Sequence, residues 1–150
     1  MPYPVQDLRA FLTGRWRIAR RIGDIRQNLI GRLAGSGDFA PAPQGLAYEE
    51  SGLLRFGRYQ GEAKRRYLFA FDRPDAAQVY HGDGGFFHAL DLSTGKDGIQ
   101  HHCGQDHYRG RYHVLDENRF VTAWDVTWPR KRYRATTIFV RASFQPEGAG

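Results

Sequence analysis

The chain has 150 residues, 22 Lys+Arg, 16 Asp+Glu and one Cys, for a formal net charge of +6. That length suits one domain, which needs no disulfide or structural metal to bury a core, and a lone Cys excludes an internal disulfide and any Cys-based zinc finger or ribbon. Aromatics at 14% argue against disorder, and no apolar run approaches the roughly 18 residues of a membrane helix.

Pro4–Leu12 reads as a short helix, with Val5, Leu8, Phe11 and Leu12 on one face and Gly14 as its stop. The opening MPYPVQDLRAFLTGRW lacks a basic-then-apolar leader pattern, so the expected location is cytoplasmic. Strand patterns then follow one another: Trp16–Gly23, Ile30–Ala40, Gly45–Phe56, Arg58–Phe71, Gln78–His81, Gly85–Asp91, Gly98–Cys103, Asp106–Leu115, Arg119–Trp128 and Arg132–Phe144. Hairpin-length loops such as Gly82-Asp83-Gly84, Thr94-Gly95-Lys96-Asp97 and Asp116-Glu117-Asn118 join them. About ten short sequential strands predict an all-β fold, and hairpin links favour a single antiparallel up-and-down barrel over a sandwich. Closure also removes exposed sheet edges.

The short helix followed by Gly14-x-Trp16 at the head of the first strand resembles the calycins, which include lipocalins, fatty-acid-binding proteins and nitrobindin-like barrels. The resemblance implies that Trp16 closes the barrel floor and that a basic residue of the last strand, Arg141 rather than Arg134, packs across it. The segments Leu12–Trp16 and His101-His102-Cys103 and the closing strand also look like an uncharacterised bacterial family of this size. The second and third lipocalin motifs, the helical lid of the fatty-acid-binding proteins and the glycine-rich nitrobindin signature are missing.

Alternation assigns faces. Trp16, Ile18, Arg20 and Ile22 share the apolar face of the first strand, so Arg20 is expected inside, where it needs a partner such as Glu50 or an anionic ligand. Gly104-Gln105 fits a two-residue turn that sets Cys103 opposite Asp106 and His101 opposite Tyr108. His101, Cys103, Asp106, Tyr108 and Tyr112 then face the cavity, while His102, His107, Arg109, Arg111 and His113 face water. Tyr67 with Phe69 and Phe71, Phe86 with His88 and Leu90, and Phe120 with Thr122, Trp124, Val126 and Trp128 form further rows.

The expected function is binding of a small, partly apolar molecule, with an anionic group as an option, by Arg20, Tyr67, His88, His101, Cys103, Tyr108, Tyr112 and Trp124. The alternative is an isomerase, lyase or hydrolase with His101, Asp106 and Tyr108 as acid and base in the same cavity. A Cys103 nucleophile would need a nearer base than His101, about 7 Å along the strand. No cofactor is expected; the alternatives are heme on His101 or His88, and a metal held by His101, Cys103, Asp106 and His88. The charge is spread along strands rather than gathered, which speaks against nucleic acid as partner, although Arg130-Lys131-Arg132 could touch an anion. A row such as Trp124 and Trp128, if exposed, is compatible with a homodimer.

Overall fold

Each inward row of the alternating pattern must be covered, and ten such rows cover one another by closing into a ring. The computed structural model describes residues 1–129 and 132–145. It contains α1 (Leu8–Leu12) and ten strands: β1 (Gly14–Asp24), β2 (Leu29–Ala42), β3 (Gly45–Phe56), β4 (Tyr59–Arg73), β5 (Ala76–His81), β6 (Phe86–Asp91), β7 (Lys96–Cys103), β8 (Asp106–Asp116), β9 (Arg119–Thr127) and β10 (Arg132–Arg141). All ladders are antiparallel, and the sheet order is β6-β5-β4-β3-β2-β1-β10-β9-β8-β7. The result is the expected up-and-down barrel, nearly closed. Pairing of β1 with β10 joins the two ends of the chain. The seam lies between β6 and β7, where the Asp91 N–H donates to Asp97 Oδ2 at 2.9 Å.

The helix is shorter than its apolar pattern. Asp7 caps it, its Oδ1 accepting from the Ala10 N–H. Upstream, the Tyr3 and Val5 N–H groups are spent on the Val114 and Leu92 carbonyls, so that stretch runs extended across the barrel end. Val5, Leu8 and Leu12 are nonetheless buried. Three of the four residues expected on one helix face are thus buried and Phe11 is half-buried, while backbone hydrogen bonds to the barrel took the first turn out of the helix.

This segment and α1 close the floor. Trp16 is 0% exposed, and its indole N–H donates to the Leu12 carbonyl at 2.8 Å. The Arg141 guanidinium lies 4.3 Å from the Trp16 ring centroid and donates to the Phe11 and Glu117 carbonyls. Phe11 and Phe120 pack on the same indole. The opposite end is formed by the β1–β2, β3–β4, β5–β6 and β7–β8 turns and is the mouth. Arg130 and Lys131 of the basic tripeptide lie outside the described residues.

Candidate functional site

Between floor and mouth the barrel keeps an interior space of about 110 Å³ for water-sized occupants. Its buried ion pair is held by three strands. Arg20 (β1) is 6% exposed and Glu50 (β3) 4%. Arg20 donates from Nη1 to Glu50 Oε2 at 2.6 Å, from Nη2 to Oε1 at 2.8 Å and from Nε to Thr137 Oγ1 at 2.7 Å. The Tyr48 hydroxyl donates to Glu50 Oε1 at 2.7 Å. Burial alone would raise the Glu50 carboxyl, but the hydrogen bonds and charge of Arg20, with Tyr48, outweigh it and hold the carboxyl below its usual range. Burial and the Glu50 charge push the Tyr48 phenol far up, so it stays a neutral donor. Arg65 of β4 stands at the rim with its Nε 4.0 Å from Glu50 Oε2.

The walls are aromatic, and a bulge adds one ring to them. Val79 pairs with His88 but Tyr80 pairs with Phe86, so Phe87 is the extra residue of β6. Phe87 and His88 consequently both turn inward, 5% and 4% exposed, while Phe86 turns out at 52%. Strict alternation had placed Phe86 in the inner row; the inserted residue reverses it. Phe87 becomes the centre of the mouth. Its ring stacks on His81 at 4.4 Å, Trp124 at 5.1 Å and Tyr67 at 5.9 Å, and meets His101 and Tyr108 edge-on across the seam. Trp124 can lie flat against β8 because its neighbour there is Gly110. A Cβ on Gly110 would come within 2.6 Å of the indole.

The β7–β8 hairpin has the expected register, Cys103 opposite Asp106 and His101 opposite Tyr108. Gly104 takes φ +62°, as the first position of its two-residue turn demands. The hairpin nevertheless runs past the barrel rim. Tyr108 and Tyr112 reach the cavity, whereas His101, Cys103 and Asp106 are not among its lining residues. Cys103, expected inside, is exposed, so correct facing did not mean burial. The Trp124–Trp128 dimer row also fails in part, because Trp124 lines the cavity. Tyr67, His88, Arg20 and Trp124 all border it. Phe87, Tyr48, Arg65 and Tyr133 were missed. Parity alone could have found Tyr48 and Arg65, which share the faces of Glu50 and Tyr67.

The constellation offers mostly binding chemistry. No hydrogen bond within the described residues satisfies the hydroxyls of Tyr67, Tyr108, Tyr112 or Tyr133, and none is a buried orphan. His88 Nδ1 donates to the Ala89 carbonyl at 2.9 Å. Its Nε2 is therefore a lone-pair acceptor, and it opens on the cavity without a protein partner. Among the described residues no three His, Cys, Asp or Glu side chains gather as a metal would require. No helix among them is long and apolar enough to cross a membrane. The outer charge is partly paired, Arg15 with Asp38, Arg73 with Asp91 and Arg134 with Asp125.

Residues 12–141 match the model of a family of unknown function, DUF6314. The chain belongs to the DUF6314 family. No curated protein matches it. Among solved structures, the S-type phycobiliprotein lyase CPES from Guillardia theta is similar with a TM-score of 0.67 at 8% identity, over 95% of each chain. A protein of unknown function from the DUF3598 family of Nostoc punctiforme gives a TM-score of 0.61 at 9% identity, over 94% of this chain and 51% of that one. At such identities these likenesses concern the fold alone, a nearly closed antiparallel β-barrel.

The DUF6314 barrel carries an internal pH dependence at His88. Burial, helped by His101 and His81, lowers this imidazole from 6.5 to about 4. The unfolded chain therefore binds a proton near 6.5 that the folded chain refuses until about 4. The associated stability is complete above 6.5 and lost as pH falls toward 4, about 3 kcal/mol in all. Urea unfolding of the wild type should show that loss between neutral pH and the lower limit. His88→Leu should remove this part of the slope; an unchanged slope would assign it to other groups.

Proposed function

We propose that this protein binds a small, partly apolar molecule, anionic in part, inside the barrel. The observation that carries the reading is the cavity itself: aromatic walls, with unpartnered tyrosine hydroxyls and one imidazole nitrogen converging on it. Small-molecule sites have this composition, mostly apolar with a few placed polar groups. A packed barrel would instead have filled the space and satisfied those groups. The acid–base alternative is weaker, because neither His101, which pairs with Tyr108, nor Asp106 is among the residues that line the cavity.

The test is calorimetric titration with indole, a flat neutral molecule small enough for the interior. Wild type should give a saturable single-site isotherm. Ala135→Leu and Ala135→Met extend a lining residue into the space and should abolish it while circular dichroism stays that of the barrel. Absent binding, or binding that both folded variants retain, overturns the proposal.

A further inference from the structure

The cavity also points to the chemical class of its ligand. We propose a flat aromatic acid of about ten to fifteen non-hydrogen atoms, its carboxylate toward Arg65 and an N–H or O–H donor of its ring toward His88. This rests on the reading of the cavity as a ligand site.

Size comes first. One water needs roughly 10–15 Å³ of such space, so about 110 Å³ holds roughly seven to eleven waters. Covalently bonded atoms pack closer than waters, which gives about ten to fifteen ligand atoms. A macrocyclic pigment several times larger would have to spread the mouth apart. Shape follows from the rings. Trp124 and Tyr67 lie within 23° and 25° of the Phe87 plane. Near-parallel rings offer flat faces, and a flat conjugated guest keeps the offset or edge-on contacts aromatic rings favour.

Charge selects the acid. Of the ionised groups bordering the cavity, Arg20 and Arg65 oppose Glu50 alone, and 2 − 1 leaves +1. Glu50 is already committed. Its two oxygens take Arg20 twice and Tyr48 once. Arg65, at 4.0 Å, is beyond hydrogen-bonding range of it, and its side chain is 44% exposed. Arg65 thus brings to the rim a guanidinium that pairs with Glu50 only at that distance, donates no hydrogen bond to a described residue and lies over the Tyr67 ring at 5.9 Å. A guanidinium fork with phenol donors nearby is a carboxylate receptor. The donor end is set by His88. Its Nδ1–H is fixed on the Ala89 carbonyl, so Nε2 can only accept, and a ligand lacking a donor would leave it unpaired.

Calorimetry with four probes tests this: indole, indole-3-carboxylate, indole-3-carboxamide and 1-methylindole-3-carboxylate. The carboxamide removes the charge at nearly the same size and shape, and the N-methyl compound removes the ring donor. Indole-3-carboxylate should bind about ten-fold tighter than either. Arg65→Gln should bring the acid-to-amide ratio close to one. His88→Leu should erase the N–H over N-methyl preference, and His88→Gln, which keeps an acceptor, should restore part of it. Equal affinities in the wild type, or a ratio that Arg65→Gln leaves intact, overturn the proposal. The Arg65 arm decides without the others, since that side chain stands half in solvent and its loss leaves the core packed. If indole still binds, only the ligand class falls. If no probe binds, the cavity reading falls with it.

Discussion

Glu50→Leu should lower the unfolding free energy by about 3–5 kcal/mol, among the largest losses available to a single substitution in this barrel. The cause is what remains. Arg20 stays charged and buried, held only by Thr137 Oγ1. Tyr48 loses its acceptor inside the core, and an unsatisfied buried donor costs about 1–3 kcal/mol on its own. Arg65 cannot substitute, since it carries the same charge as Arg20. The companion variant separates the charge from the packing. Arg20→Met with Glu50→Leu removes both ions and should recover most of the loss, because a buried pair repays little beyond its own desolvation. A urea-denaturation cycle over the two single variants and the double measures the coupling. If Glu50→Leu proved nearly neutral, water from the cavity would have to be solvating Arg20.

The pair also shows what was legible in the sequence. Arg20 had to be inward because Trp16 and Ile18 share its parity, and a buried guanidinium demands an acid. Glu50 has the right parity on a strand two places away. Period two likewise placed Trp124, Tyr67 and Tyr112, and the glycine at position 104 gave the β7–β8 register, since its φ of +62° suits few other residues. Two kinds of information were absent. Phe86-Phe87-His88 offers two consecutive rings, and local pattern cannot say which one a bulge will turn inward. Nor does parity report depth. Cys103 has the inward parity of His101 and Ile99, yet it lies beyond the rim in water. Depth depends on how far one hairpin outreaches its neighbours, here the six-residue strands β5 and β6, and that is a property of the assembled ring. The ligand class was illegible for the same reason. It follows from a charge tally over Arg20, Glu50 and Arg65, whose grouping exists only once β1, β3 and β4 are assembled in one barrel wall with β2 between the first two.

At the other end of the barrel, Trp16→Ala should cost about 3–5 kcal/mol, the range for deleting a large buried aromatic side chain. Trp16 is fully buried, tied through its N–H to Leu12, and packed by Phe11 and Phe120. Its removal therefore opens a cavity beneath α1 and releases the helix from the floor. Arg141→Met keeps an apolar stem over the indole but removes the cation and its bonds to the Phe11 and Glu117 carbonyls. That loss should be smaller, about 1–3 kcal/mol, from one partly buried cation–π contact and the charged hydrogen bonds. The two changes should not add. Arg141 grips the helix partly through the indole, so once Trp16 is gone its removal should cost less than it does alone. Hydrogen exchange gives the spatial check. Either variant should speed exchange first at the Phe11 and Thr13 amides, which bond back within α1, while β3 and β4 amides keep their protection. Uniform acceleration across all ten strands would mean that the floor and the wall unfold as one unit, and that α1 is part of the barrel rather than its stopper.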